Sequence, residues 1–368
     1  MVIHYMARVM VKNLTKRFGK VTAVNRLNLE VEDKKFVCFL GPSGCGKTTT
    51  LRMIAGLEVP DEGEIYIGDE LVNDLTPAER DTAMVFQFYA LYPTLSVYDN
   101  LAFPLRTQKI PKGDVDRRVR EVADILGVTK MLNLKPEQLT PGESQMVALG
   151  RAIIRRPRVY LLDEPLTNLD AKLRARMRAE LKRLQKELGQ TAIYVTHDQL
   201  EAMTMADKIA VMNQGALQEY DTPDNIYNHP KNLFVAGFIG SPSMNFIEGT
   251  LKEMDNKLYL DTGEFQLDVT EFREPVLEEA KGKEVILGIR PEHISVGSKP
   301  SATYAFQGEV YVVEPLGDQA ILDFKIGSSI VRAMVPPHFK ADVGDRLWLS
   351  FSKENFQIVD KKTEEVIL

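Results

Sequence analysis

The chain has only two cysteines in 368 residues, Cys38 and Cys45. They form no framework pattern, which excludes a disulfide scaffold and suits a reducing compartment. No apolar run approaches the roughly 20 residues that a bilayer-spanning helix requires. Met1 to Met10 is broken by His4 and Arg8, so the apolar core of a signal peptide is missing. These absences predict a cytoplasmic protein. An excess of positive charge is lacking too. The net charge is −6, which gives no general electrostatic footprint for nucleic acid, and no nucleic-acid partner is expected. Neither internal repeats nor low-complexity tracts occur.

What is present is enough apolar material for a proper core, 44% of residues, in a chain long enough for two domains. The most informative segment is Gly41-Pro42-Ser43-Gly44-Cys45-Gly46-Lys47-Thr48, which fits GxxxxGK[ST] without a gap. The apolar strand Phe36–Leu40 precedes it. Thr49 to Ala55 follows as a helix that stops at Gly56. In that setting the glycines let backbone N–H groups converge on phosphate oxygens, and the helix N-terminus adds partial positive charge. Lys47 would reach the β- and γ-phosphates and the Thr48 hydroxyl would ligate magnesium. A nucleoside-triphosphate site is predicted.

Residues 9 to 33 alternate as strands about a turn at Gly19, which reads as antiparallel β. From Phe36 on, apolar strands alternate with helices, the pattern of a mostly parallel sheet covered on both faces. The strands expected are Phe36–Leu40, Thr82–Phe86, Val159–Leu162, Ala192–Val195 and Lys208–Met212. A helical insert occupies about 88–155. An amphipathic helix spans Ala171 to Leu188, with Gly189 as its C-terminal cap. Beyond about Ala236 short alternating strands take over, predicting a small β-barrel or sandwich. The expected domains are therefore 1–236 and 237–368, with small residues from Gly237 to Met244 as the linker.

Downstream of the loop, Val159 to Asp163 is an apolar strand running into a second carboxylate, Glu164. Hydrolysis needs one carboxylate on the magnesium side and another to polarise water. Asp163 is the candidate for the first role and Glu164, as general base, for the second. Gln87 and His197 each stand just past a strand end, where His197 could contact and sense the γ-phosphate.

In this order the pieces resemble the ATP-binding-cassette (ABC) ATPases across the first 235 residues. Gly41 to Thr49 looks like the Walker A loop, Gln87 the Q-loop, and Leu161 to Pro165 the Walker B strand with its catalytic glutamate. Thr167-Asn168-Leu169-Asp170 resembles the D-loop and His197 the switch histidine, while Phe18 falls where an aromatic stacks on adenine. Gly237 to Phe246 and Gly288 to His293 resemble importer ATPases typified by the maltose transporter subunit, which carry a C-terminal regulatory domain of OB-like β structure. The resemblance implies an ATP- and magnesium-dependent ATPase powering solute uptake, with sugar as the expected solute. It also implies a homodimer that forms on ATP binding, on the inner face of the membrane. Its partners would be integral membrane permease subunits and, indirectly, a solute-binding protein. Gln87 would then link magnesium to the helical insert.

One segment departs from that pattern. Where the family signature usually reads LSGGQ, this chain has Leu139-Thr140-Pro141-Gly142-Glu143. The resemblance places Thr140, Gly142, Glu143 and Asp170 against the ATP of the opposite subunit. Pro141 deletes an N–H donor and Glu143 adds negative charge near a phosphate site. Two further readings thus stay open: a family member with impaired hydrolysis, and a soluble P-loop ATPase acting on nucleic acid.

Overall fold

A computed structural model describes residues 7–87, 91–274, 276, 280 and 283–368. Residues 1–6, and the first positions of the expected insert, 88–90, lie outside the described residues. The chain divides into two compact units, Met1–Pro223 and Asp224–Leu368.

The first unit opens with β1 (Val9–Phe18) and β2 (Val21–Val31), an antiparallel pair turning at Gly19. Next come β3 (Phe36–Leu40), α1 (Lys47–Ala55), β4 (Glu62–Ile67), β5 (Glu70–Leu71) and β6 (Thr82–Val85). The insert supplies α2 (Val97–Thr107), α3 (Lys112–Ile125) and α4 (Pro141–Ile153). The remainder is β7 (Val159–Asp163), α5 (Ala171–Leu188), β8 (Thr191–Thr196), α6 (Gln199–Met205), β9 (Lys208–Asn213) and β10 (Ala216–Asp221).

Two sheets result. The six-stranded one has the order β10-β9-β3-β8-β7-β6, parallel throughout except for β10 on β9. The four-stranded one, β2-β1-β4-β5, is antiparallel. Every residue of β3, β7 and β8 is buried. Strands covered on both faces have no need of polar alternation, which is why they read as continuous apolar runs. The strand order fixes the site. Because β3, β8, β7 and β6 are parallel neighbours, their carboxyl ends, and the loops that leave them, collect at one edge.

The second unit holds two antiparallel five-stranded sheets. One runs Gln266–Asp268, Lys257–Asp261, Asn245–Met254, Glu284–Ile289, Phe356–Asp360; the other runs Ser295–Gly297, Arg346–Phe351, Tyr304–Pro315, Ala320–Ile326, Ser329–Val335. Leu260, Leu287, Phe306, Phe324, Phe351 and Ile358 from both sheets share one core. The boundary expected after residue 236 falls inside the helix Leu233–Phe238. That helix belongs to the second unit: Asn232 caps it, Val235 and Ala236 are buried, and the Leu233 N–H donates to the Glu364 carbonyl at 2.8 Å.

Candidate functional site

The loop between β3 and α1 is shaped by glycine. Gly46 caps α1 at φ 103°, and a Cβ there would lie 2.3 Å from the Ala23 carbonyl oxygen, so no other residue fits without displacing backbone. Lys47, only 6% exposed, points its ammonium beneath the loop and donates to the carbonyls of Gly41 (2.7 Å) and Pro42 (2.9 Å). A cation so placed, beside the positive end of α1, makes the loop an anion cradle.

Across from it, β7 ends on buried Asp163, whose Oδ1 accepts from the Thr48 hydroxyl at 2.9 Å. Burial pushes this carboxyl above its usual range, Glu164 next to it pushes the same way, and the Thr48 bond opposes both. A hydroxyl and a carboxylate fit magnesium, which takes oxygen ligands and keeps waters and phosphate oxygens for its other positions.

Glu164 stands immediately beyond the strand at φ 46°, with its N–H donating to the Val195 carbonyl at 3.0 Å. Left-handed backbone at a non-glycine residue is strained, and here it turns the side chain out of the sheet. Three loops then meet on one atom. Glu164 Oε2 accepts from Gln87 Nε2 at 3.2 Å and from Thr167 Oγ1 at 3.3 Å, and lies 3.2 Å from His197 Nδ1. Asn168 Nδ2 donates to the Gln87 carbonyl at 3.3 Å, tying two of those loops together. The cleft between loop and carboxylates measures about 420 Å³ and is lined by Ser43, Lys47, Thr48, Gln87, Glu164 and His197 among others. Gly44, Cys45, Gly46 and Thr49 line it as well.

Other expected site residues lie elsewhere. Phe18 is half exposed at the end of β1 beneath the Lys16 ammonium, 5.2 Å from the ring centre, and does not line the cleft. Gln87 bonds Glu164 rather than the Thr48–Asp163 pair. Thr140 and Glu143 start α4 as a reciprocal capping box: the Glu143 N–H donates to Thr140 Oγ1 (3.3 Å) and the Thr140 N–H to Glu143 Oε2 (2.7 Å). Pro141 takes the first helical position, where no intrahelical acceptor is required, and Gly142 follows it. Asp170 caps α5 through the Leu173 N–H at 3.0 Å. Thr140, Gly142, Glu143 and Asp170 do not join the cleft of their own chain. Two residues with no site role assigned from the sequence do: Ala23 in its wall, and Thr167, named above only within the D-loop segment, as a direct partner of Glu164. A hydroxyl three positions after Glu164, on the same turn, was the available signal for Thr167.

Family models match three stretches of the chain. The ABC transporter model matches residues 24–167, the MalK OB fold domain 240–294 and the TOBE domain 287–359. The trehalose/maltose import ATP-binding protein MalK of Thermococcus litoralis is 51% identical over 98% of this chain and 100% of its own length. The oligosaccharides import ATP-binding protein MsmX of Bacillus subtilis is 46% identical over 98% of this chain and 99% of its own. Among solved structures, the dimeric post-hydrolysis state of the ATP-binding cassette MJ0796 bound to ADP and Pi aligns with a TM-score of 0.54 and 33% identity, over 58% of this chain and 98% of that one. The phosphate loop and the two carboxylates fall within the ABC transporter match, and the OB-fold and TOBE matches follow it in order. The chain belongs to the ABC transporter family and is the ATP-binding, ATP-hydrolysing subunit of an importer of that family.

Proposed function

We propose that this subunit hydrolyses magnesium-ATP at an interface between two copies of itself and drives sugar uptake through separate membrane permease subunits. The observation that carries this reading is the meeting of Gln87, Thr167 and His197 on Glu164 Oε2, in the same cleft as the Lys47 cradle. Lys47 binds the β- and γ-phosphates, and Thr48 and Asp163 hold the metal. Glu164 takes a proton from the attacking water, and His197 grips the γ-phosphate. Magnesium, when bound, supplies charge neutralisation on the phosphates. In its own half the cleft is well furnished, whereas Thr140, Gly142, Glu143 and Asp170 stand outside it. That arrangement supports a composite site in which a second copy presents those residues.

Sugar as the solute rests on the relatives, whose names specify trehalose, maltose and oligosaccharides. No helix among the described residues is long and apolar enough to cross a membrane, so passage of the solute falls to other subunits, with this chain on their cytoplasmic face. Their docking surface is the groove of about 440 Å³ between the end of β6 and the insert, lined by Phe86, Tyr92, Phe103, Pro104, Thr107 and Arg151. Tyr92 and Phe103 pack at 4.7 Å between ring centres, and the Arg151 guanidinium sits 4.3 Å from the Tyr92 ring. Aromatics and arginine are the residue types enriched at protein interfaces. The second unit, with its OB-like sheets, acts as the regulatory domain.

The test is phosphate release by the subunit reconstituted with its permease and a sugar-loaded binding protein. Turnover stimulated by sugar supports the reading. Turnover indifferent to every sugar, yet stimulated by another solute class, removes the sugar assignment and leaves the ATPase.

A further inference from the structure

A buried carboxylate outside the cleft is built into the segment that carries His197. Glu201 lies on α6 and is 4% exposed. Its Oε2 accepts from the Thr196 hydroxyl at 2.7 Å and from the Tyr194 hydroxyl at 2.9 Å, both on β8. With its proton committed to Glu201, Thr196 Oγ1 accepts in turn from the Asp198 N–H at 2.9 Å. Thr196 and Asp198 are the residues on either side of His197. Asp198 Oδ1 then accepts from the N–H groups of Leu200 (2.8 Å) and Glu201 (3.2 Å), closing the segment onto the first turn of α6. Arg174 of α5 approaches Asp198 Oδ2 at 4.0 Å and donates to the carbonyls of Thr167 (3.3 Å) and Leu169 (3.0 Å).

The His197 side chain is 55% exposed, with Glu164 Oε2 3.2 Å from its Nδ1, so its direction depends on that contact and on the backbone beneath it. We infer that Glu201 is a positioning residue for His197, acting through the Thr196 hydroxyl that grips the backbone next to the histidine. Desolvation makes a carboxylate costly at this depth, and Asp198 adds to that cost, while Thr196, Tyr194 and Arg174 offset it. An apolar side chain would fill the space at lower cost but could not orient the hydroxyl. This inference rests on the reading of His197 as the γ-phosphate contact.

The test compares Thr196→Val, Thr196→Ser, Glu201→Leu and Glu201→Gln, with Thr196→Val repeated in a His197→Ala background. Thr196→Val and Glu201→Leu are expected to lower kcat about tenfold, well within the ~10²-fold that a displacement of about 1 Å costs. The KM for ATP should stay within about twofold. Thr196→Ser keeps the hydroxyl, and Glu201→Gln keeps an oxygen able to accept both hydroxyl bonds, so each should retain most of the activity. In the His197→Ala background Thr196→Val should have no further effect, because the residue being positioned is gone. A folded Thr196→Val protein with unchanged kcat overturns the inference, as does an effect that multiplies with that of His197→Ala. Should Glu201→Leu fail to fold, the two Thr196 variants still decide. A wild-type protein without ATP turnover would instead defeat the functional reading beneath it.

Discussion

At the scale of single residues, Glu164 and Asp163 are neighbours given opposite tasks by their surroundings. Asp163 is buried at the end of a strand with one hydroxyl partner, whereas Glu164 is turned out into the cleft. Glu164→Gln should cut phosphate release by at least about 10²-fold, the usual contribution of a positioned base. Nucleotide affinity, measured by calorimetry, should survive, and turnover that persists in the variant removes Glu164 from that role. Asp163 carries a pH signature. A carboxyl raised in the folded state favours folding below its unfolded-chain value, and that contribution is lost as pH rises through the folded value. Asp163→Asn should therefore melt higher than the wild type at neutral pH without nucleotide, with the gap closing toward about pH 4. Equal melting temperatures across that range would contradict the buried-charge account. Chelating magnesium should stop hydrolysis in the wild type, and Asp163→Asn should have little hydrolysis left to lose. The phosphate loop and the carboxylate pair were legible in the sequence because each is contiguous. The Gln87–Glu164 bond was not: the two residues are 77 positions apart, and only the adjacency of β6 and β7 brings them together.

Among the elements, α4 accounts for the unusual residues at its start. Proline is harmless at its first position, and Glu143 folds back onto the Thr140 N–H, so the helix forms well. What changes is what its end presents: one N–H fewer and one carboxylate more. Reverting Thr140→Ser, Pro141→Gly and Glu143→Gln together should raise the hydrolysis rate, because loss of a single oxyanion donor typically costs about 10²-fold or more. The glutamine keeps the capping box, so melting should change little. An unchanged rate would mean that the altered signature is fully competent. Strands were readable where both faces are buried, as in β3 and β7. Asn245–Met254 escaped because it follows a small-residue stretch and contains Gly249. A Cβ at Gly249 would sit 2.7 Å from Leu260 Cδ2, so the glycine serves close strand packing rather than a turn. The division by contacts falls earlier than the expected boundary for a related reason: Gly237 and Gly240 look like linker residues, but Gly237 lies within the helix Leu233–Phe238, which is pinned by Asn232 and Glu364.

At the scale of the whole molecule, the net charge of −6 gives no general electrostatic footprint for nucleic acid. If each cleft is completed by a second copy, ATP should hold two copies together only while it stays intact. The Glu164→Gln protein with magnesium-ATP should elute as a dimer on sizing, and the wild type with ADP as a smaller species. A monomer under the first condition would sink the composite site.

The meeting point on Glu164 has one more consequence. A carboxylate oxygen offers about two lone pairs, and Gln87, Thr167 and His197 all address the same one. Three claimants share two berths, so whichever loop withdraws lets the remaining two settle more firmly. Loops that leave different strands thereby report on one another through a single atom.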